Sequence, residues 1–410
     1  MTPRVRAHAP ALLFATAGVW AMSFIALYGF GWNDYSVEVA PAYGALTSGH
    51  LWTFLQLAPA YGGSLELRAP FALLPGLWGA GSDAVYQSVS IACLIAAAVF
   101  GVWLLGRMRT LGHDRLARAT AMAVCVANPV TLYALQLGHA EELLGAVLCV
   151  AAVLAAQNGR VGWSGVLLGL AIANKQWALL AIGPVLVALP GHRVRALLYA
   201  GAIAAAFYVP LLLPSVVGGS AAGTGSGGPA VAQTGGGTIF QPWQLWWFLG
   251  SHGHTVVGSF GVVKPGYRTP PGWIVNIPHP LIIALAVPAT ALAWLRGRRD
   301  ALLLLAFLFA LRFALDTWDT VYYPLPFIFA LLAWEIEHRR RPPVLALVAS
   351  VTVWLVFIVA PEHISADAQA ALFTIVAVPT LVALATALYA PVHGWTLRRA
   401  HALPALRGAP

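Results

Sequence analysis

The feature that most constrains this chain is the recurrence of long apolar stretches from one end to the other. The first stretch, residues 11–30, contains no charged side chain. It has the roughly 20 residues that an α-helix needs to cross the hydrocarbon core of a bilayer. Eleven more apolar runs start near residues 84, 119, 143, 161, 177, 196, 277, 301, 321, 344 and 370. The pattern predicts an all-α polytopic membrane protein with about 12 transmembrane helices. We expect residues 1–410 to form a single integral membrane domain.

Composition excludes several other classes of protein. The chain is 60% hydrophobic and only 9% charged, whereas soluble domains carry about 25% charged residues. An ordinary soluble enzyme and a disordered chain are therefore excluded. The three cysteines lie inside apolar runs, which excludes a disulfide scaffold. The net charge of +9 comes from short basic clusters between apolar runs, so no nucleic-acid partner is expected.

The basic clusters predict how the chain is oriented in the membrane. With the first run retained as a span and the amino terminus in the cytoplasm, most basic residues fall in cytoplasmic segments. These are Arg4, Arg6, Arg107, Arg109, Arg115, Arg118, Arg160, Arg193, Arg195, Arg296, Arg298, Arg299, Arg339, Arg340, Arg341, Arg398, Arg399 and Arg407. The alternation places both termini in the cytoplasm. Most of the acidic residues then face outward, which suggests extracytoplasmic chemistry. The Ala-, Gly- and Arg-rich composition is typical of a high-GC bacterial source, which indicates the plasma membrane.

Two predicted outer segments are long. Residues 31–83 are expected to include an interfacial helix from about Val37 to Thr47, ended by Gly49. Residues 214–276 begin with a Gly/Ser/Thr-rich part, 218–237, that we expect to be flexible. The indole-rich part that follows, 241–248, is typical of a membrane–water boundary.

Several apolar runs are too short to cross the membrane. Residues 143–156 comprise about 14 residues, and 161–173 and 177–189 about 13 each, or roughly 20 Å of helix. We interpret them as re-entrant-like hairpins whose polar tips line a recess in the outer half of the membrane. A single tilted span over 161–189 is the alternative, but it would place the later arginine clusters outside.

The hairpin tips carry the candidate functional residues. His139, Glu141 and Glu142 begin a helix, where acids commonly complement the helix dipole. Two adjacent acids and a histidine at this depth also suit groups that orient a base or contact an acceptor. Lys175, one of only two lysines, lies between Asn174 and Gln176 and suits a phosphate partner.

The remaining candidates have competing interpretations. Asp34 follows Asn33 after the first span and is either a turn residue or a functional acid, and Glu38 lies one helical turn further on. Arg312 lies four residues before Asp316, so the two can form an ion pair on one helical face. Asp316 and Asp319 also form a weak D-x-x-D metal motif. We interpret their segment as a packed interfacial turn with Tyr322 and expect no metal or other cofactor. The loop residues His252, His254 and Lys264 receive no role.

The layout resembles the GT-C membrane glycosyltransferases, in particular the bacterial polyprenyl-phosphate-sugar-dependent mannosyl- and arabinosyltransferases. The resemblance covers most of the chain through loose motifs. They are Asn33-Asp34, Asn128-Pro129, Gly138-His-Ala-Glu-Glu142, Asn174-Lys-Gln176, Gln241-Pro-Trp-Gln-Leu-Trp-Trp247 and Asp316-Thr-Trp-Asp-Thr-Val-Tyr-Tyr-Pro324. The resemblance implies a GT-C-like bundle in which an acid of the first outer loop is the general base. That acid is Asp34 here, with Glu38 as the other possibility.

The resemblance implies a function that the residue types also support. A polyprenyl-phosphate donor would transfer mannose or arabinose to a lipid or cell-envelope glycan by one inverting displacement. Departure of the phosphate needs cations, which Lys175, Arg312 and Arg68 could supply, and Asn174, Gln176, Asp316 and Tyr322 complete the predicted substrate-binding set. A twelve-span secondary transporter or a lipid or polysaccharide flippase is the alternative. Transporters, however, place charges near the midplane of two similar halves.

Overall fold

The computed structural model describes residues 3–28, 34–59, 61–78, 81–217, 240–257, 263–295 and 300–389. Asn33, segment 218–237, segment 296–299 and the residues from 390 onward lie outside the described residues. The same holds for the side chains of Arg4, Arg6, His254 and Lys264. The expected flexibility of 218–237 therefore stays a prediction.

The described chain is largely helical, which confirms the all-α polytopic class. Its first half contains α1 (Pro3–Leu27), α2 (Ala40–Thr47), α3 (Leu51–Leu57), α4 (Gly62–Leu73), α5 (Ser82–Thr110), α6 (Arg115–Val126), α7 (Pro129–Gln136), α8 (Ala140–Gln157) and α9 (Val161–Asn174). Its second half contains α10 (Ile182–Ala188), α11 (Arg193–Val217), α12 (Pro278–Leu295), α13 (Ala301–Leu315), α14 (Leu325–His338), α15 (Val344–Trp354) and α16 (Ala366–Tyr389). Short helical turns cover Tyr35–Val39, Pro75–Trp78, Gln176–Ala181, Trp247–Leu249, Ile274–Asn276, Leu355–Val359 and Ala360–Glu362.

Eight helical segments among the described residues are long and apolar enough to cross a membrane. Three apolar helices are shorter, namely Val161–Asn174, Gln176–Ala188 and Ala301–Leu315, and the first two match the runs 161–173 and 177–189 that sequence marked as too short. The expectation that 143–156 is too short to cross was wrong, because the helix there includes the acidic first turn and extends over Ala140–Gln157, which makes it one of the eight. Each of the twelve predicted runs coincides with a helix or a pair of consecutive helices. The break between α6 and α7 falls at Asn128-Pro129, because Asn128 caps α7 through its side chain and proline takes the first helical position.

The chain reverses at Lys175, as the hairpin interpretation requires. The backbone of α9 approaches α11 at Gly165 beside Ala196, and again at Gly169 beside Ala200. From the first contact to the second, the residue number increases along both helices, so α9 and α11 are parallel. A single span over 161–189 would have made them antiparallel. The segment 176–188 therefore returns towards the end of the bundle from which α9 began.

Helix α8 forms the centre of the bundle. It packs against α5, α9, α10 and α14, and 72% of its apolar window is buried, compared with 11% for α11. Both ends of α8 are anchored by polar groups. His139 precedes its first turn, and Asn158 at its far end accepts a hydrogen bond from Arg107, which also pairs with Glu337. A helix of this length holds the two ends about 27 Å apart.

The first long loop contains more helix than predicted. A π-helical turn, Tyr35–Val39, leads into α2, and Gly49 follows it with a positive φ of 79°, which agrees with the expected helix and its end. Two further helices, α3 and α4, follow. The backbone of helix α4 lies directly against α9 at Gly63. A Cβ at this position would come within 2.4 Å of the carbonyl oxygen of Ala173, so the close packing requires glycine. This close approach brings Arg68 and Ser64 into the bundle.

The second long loop contains a β-hairpin that sequence did not predict. Strands β1 (Ser251–Val257) and β2 (Val263–Thr269) pair antiparallel. Arg268 on β2 joins the hairpin to α16 through two hydrogen bonds to Asp367, of 2.8 and 2.9 Å. Asp367 also accepts a hydrogen bond from the indole of Trp247. The hairpin is therefore fixed by a contact with a residue 99 positions away rather than by a local pattern.

Candidate active site

Asp34 is placed by the turn that precedes α8. Gly138 has a φ of +98°, and a Cβ there would lie 2.6 Å from the backbone nitrogen of Tyr35. The glycine therefore allows the turn to pack directly on the backbone beside Asp34. The buried hydroxyl of Tyr35 donates a hydrogen bond of 3.1 Å to the carbonyl of Ser82, which fixes the turn against α5.

His139 bridges two carboxylates. Its Nε2 lies 3.2 Å from Oδ2 of Asp34, and its Nδ1 lies 2.8 Å from Oε1 of Glu141. Burial alone would lower the pKa of His139, but the charge of Glu141 and the hydrogen bonds to Asp34 and Glu141 outweigh burial and raise it to about 9. The side chain is therefore an imidazolium at neutral pH, and both ring N–H groups donate. Asp34 is the more accessible carboxylate, with 39% of its side chain exposed.

Glu141 is the centre of an ionic cluster. Besides His139, it contacts Nζ of Lys175 at 3.2 Å and a guanidinium nitrogen of Arg68 at 3.4 Å. Its side chain is fully buried. A carboxylate at this depth requires such partners, because an unpaired buried charge is costly.

One carboxylate oxygen of Glu142 contacts a second set of donors. Its Oε1 lies 3.2 Å from Nζ of Lys175, 3.7 Å from the guanidinium of Arg312 and 3.2 Å from the indole nitrogen of Trp177. Lys175 thus links the two adjacent glutamates. Its backbone is extended at the break after α9, which directs the chain away from the helix.

Asn174 ties the hairpin tips together. Its amide donates a hydrogen bond of 2.8 Å to the backbone carbonyl of Glu141, and its side-chain oxygen accepts one of 3.1 Å from Ser64. The side chain is fully buried. Gln176 lies on the other side of the break, beside Tyr208 of α11.

Aromatic rings surround the cluster. Lys175 lies 4.3 Å from the ring centre of Tyr61, and Arg312 lies 4.2 Å from that of Tyr323. The ring of Tyr322 packs against that of His139, with ring centres 4.4 Å apart and ring planes tilted by 35°. The hydroxyl of Tyr61 also donates a hydrogen bond to the exposed carboxylate of Glu38. These rings exclude water from the cluster, which strengthens the electrostatic interactions between its charged groups.

The buried core of the site carries excess positive charge. The ion pairs around Glu141 and Glu142 join these two carboxylates to three cations, Arg68, Lys175 and Arg312. The buried Asp316 nearby is paired with His279. His139 as an imidazolium offsets Asp34. The arrangement therefore suits an additional anion next to Lys175 and Arg312.

The expected Arg312–Asp316 ion pair is not formed. Arg312 is directed to Glu142 and donates to the carbonyl of Tyr323 at 3.3 Å. Asp316 instead contacts His279 at 3.2 Å and accepts a hydrogen bond from the backbone of Trp318. The physical reason is that Asp316 has left the helix, with extended backbone angles, so the four-residue spacing no longer aligns the two side chains.

Asp316 and Asp319 differ in their surroundings. Burial alone would raise the pKa of Asp316, but the hydrogen bond and charge of His279 hold it below its usual range. Burial, together with the charge of Asp316, raises the pKa of Asp319 well above its usual range. Burial therefore favours the neutral form of Asp319.

Sequence reasoning found most of this cluster but missed several members. Tyr61, Ser64, Trp177, Tyr323 and His279 received no role from sequence. Trp177 and Tyr323 directly adjoin predicted residues, so the neighbourhood was indicated. Ser64 and His279 carried no signal, because their partners Asn174 and Asp316 are distant in the chain.

A helical membrane bundle with a buried ionic cluster at one end and an accessible carboxylate beside it fits a GT-C-type membrane glycosyltransferase. Comparison with protein families supports this class: the model of Glycosyltransferase family 87 matches residues 63–316. The match covers more than half of the chain, and the chain therefore belongs to this family. Comparison with curated proteins finds no match. The matched region includes Arg68, the His139–Glu142 tip, Lys175 and Arg312, whereas Asp34 and Glu38 precede it and Tyr322 follows it.

Proposed function

We propose that this glycosyltransferase uses a polyprenyl-phosphate sugar as donor, with mannose or arabinose favoured. The observation that carries the proposal is the excess positive charge of the buried cluster, next to a carboxylate that reaches the surface. A phosphodiester brings one negative charge, which the cluster would balance. Lys175 and Arg312 would bind the phosphate, and Arg68 would hold Glu141 in place.

The displacement would take place in one step. The acceptor hydroxyl oxygen forms a bond to the anomeric carbon while the bond from that carbon to the phosphate oxygen breaks. The phosphate leaves with the electron pair as polyprenyl phosphate, whose charge the two cations stabilise. The hydroxyl proton passes to Asp34, and the configuration at the anomeric carbon inverts.

Asp34 is the better candidate for the base than Glu38. His139 contacts Oδ2 of Asp34, which orients the carboxylate and leaves Oδ1 to accept the proton. Glu38 is instead engaged by the hydroxyl of Tyr61. The interpretation of His139 and Glu141 as base-orienting groups rests on the same contacts. Glu142 would position the two cations.

The site would face the extracytoplasmic side. The candidate residues lie at the His139 end of α8, and Arg107 and the neighbouring arginines lie at the Asn158 end. Arginine-rich loops favour the cytoplasm, which supports an outer site, an acceptor that is a lipid or envelope glycan, and cytoplasmic termini. Family membership favours a transferase over the transporter alternative.

The test is transfer of labelled sugar in membranes that contain the parent or Asp34→Asn at equal abundance. Polyprenyl-phosphate mannose and polyprenyl-phosphate arabinose serve as donors. We expect transfer by the parent with one of them and a loss of about 10²- to 10⁴-fold in the variant. Asp83→Asn, an exposed acid at the start of α5, is the matched control and should retain activity. Absence of transfer from both donors would contradict the proposal.

A further inference from the structure

One buried carboxyl group has no part in the mechanism above. Asp319 is fully buried, and neither of its side-chain oxygens has a partner at full hydrogen-bond geometry among the described residues, although the backbone N–H of Thr320 lies close to the carboxyl group. It lies close enough to Arg312, Glu142 and Tyr323 to interact with them electrostatically. Buried polar oxygens are normally paired, because an unmet hydrogen bond costs free energy. A fully buried carboxyl group without partners at full hydrogen-bond geometry is therefore a candidate for binding a ligand.

A second unpaired acceptor lies in the same region. Gln244 is fully buried, and its amide nitrogen donates a hydrogen bond of 3.1 Å to the carbonyl of Thr317, two residues before Asp319. Its side-chain oxygen has no partner among the described residues. The surrounding segment is fixed to the end of α13 by hydrogen bonds from Leu245 to Ala314 and from Trp246 to Leu315. The two acceptors therefore lie on segments that are joined by hydrogen bonds, and we call the surface formed by Asp319 and Gln244 the acceptor wall.

The chemistry of this wall differs from that of the cationic cluster. Carboxyl and amide oxygens accept hydrogen bonds from hydroxyl groups, but they provide no positive charge to bind an anion. A neutral carboxyl group donates through one oxygen and accepts through the other, which suits two adjacent hydroxyls. The wall adjoins Arg312, one of the two phosphate-binding cations proposed above. In a polyprenyl-phosphate donor, the group next to the phosphate is the sugar.

We propose that Asp319 and Gln244 form the donor-sugar subsite and bind hydroxyl groups of the transferred sugar. This inference rests on the proposed function, since it takes the donor phosphate to lie at Lys175 and Arg312. The subsite would determine which sugar is transferred. Lys175 and Arg312 would bind the same phosphate whatever sugar it carries.

The experiment combines Asp319→Asn with donors that each lack one hydroxyl of the transferred sugar. For the complete donor, we expect kcat/KM to fall about 10- to 100-fold in the variant, the cost of a lost buried hydrogen bond. At least one deoxy donor should be impaired similarly in the parent but cause no further loss in the variant. Inhibition by sugar-free polyprenyl phosphate should change less than twofold, because that ligand does not contact the subsite.

Several results would overturn the subsite. Equal weakening of sugar-free polyprenyl phosphate would show a general structural effect. Identical deoxy-donor losses in parent and variant would show that Asp319 contacts no sugar hydroxyl, and a change confined to the acceptor KM would assign the wall to the acceptor. If the parent transfers no sugar at all, the proposed function fails instead.

A second variant protects the test against misfolding. Gln244→Leu removes the other acceptor and should give the same pattern with a different deoxy donor. Both variants are compared with the parent by thermal unfolding. If neither retains the parent Tm, infrared difference spectra of the unmodified protein decide. A shift of the protonated-carboxyl C=O band on adding the complete donor, but not sugar-free polyprenyl phosphate, supports the subsite, and the absence of that shift overturns it.

Discussion

Nε2 of His139 lies 3.2 Å from Oδ2 of Asp34, although 105 residues separate them in the chain. Nδ1 of the same ring contacts the buried Glu141. The histidine therefore connects the half-exposed carboxylate of Asp34 to the ionic core of the site. This link joins the proposed base to the proposed phosphate-binding cations through one side chain.

The raised pKa of His139 predicts how stability depends on pH. The pKa is about 9 in the folded protein and 6.5 in the unfolded chain. Its contribution is therefore fully present below about pH 6.5 and is lost as pH rises through about 9. We expect the Tm of the parent in detergent to fall over this interval, and the fall to be smaller in His139→Gln. His363→Gln, in an exposed turn, is the control and should keep the parent profile.

Substitution of the two outer acids distinguishes the candidate bases. Asp34→Asn should abolish most of the transfer, because the acceptor proton then has no carboxylate to accept it. Glu38→Gln should reduce kcat by less than about fivefold, since the hydroxyl of Tyr61 can still donate to the amide oxygen. Initial rates at saturating donor provide the measurement. A larger effect at Glu38 than at Asp34 would reverse the assignment.

The contribution of the Lys175 side chain to phosphate binding can be separated from that of the net charge of the cluster. Lys175→Met leaves Glu141 and Glu142 short of a partner, and removal of one partner of a buried pair typically costs about 3–5 kcal/mol of stability. Lys175→Met combined with Glu142→Gln restores the parent charge, so we expect Tm to recover in part. Inhibition by polyprenyl phosphate should stay weak in both variants. Recovery of that inhibition in the double variant would show that net charge alone binds the phosphate.

Gly138 tests whether the turn beside Tyr35 is required. Gly138→Ala places a Cβ 2.6 Å from a backbone nitrogen at a φ of +98°. Gly159→Ala is a matched control, since its φ is also positive, at +69°, but no atom lies within 4 Å of the added Cβ. The control should lose about 1–2 kcal/mol from its left-handed backbone. Gly138→Ala should lose more, together with transfer activity, as measured by Tm and initial rate. Equal losses would exclude a special role for the turn.

Sequence determined the class of protein and much of its outline. Hydrophobic runs of helical length and clustered arginines are local properties, and the tendency of apolar helices to leave water acts on each segment separately. The lengths of the apolar runs at 161–173 and 177–189 predicted that the helices there are too short to cross a membrane. The polar residues around His139, Lys175 and Arg312 were recognisable because the sequence on either side of them is apolar. The composition of each segment was sufficient for these predictions.

Tertiary structure decided which of these groups meet. The local spacing offered Asp316 as the partner of Arg312, but the end of α13 at Asp316 turned that side chain away, and Glu142, 170 residues distant, took its place. The contacts of Asp34 with His139 and of Ser64 with Asn174 likewise depend on how α4, α8 and α9 pack. A buried charge is stable only beside a counter-charge, and the chain order of the helices does not specify which counter-charge their packing supplies.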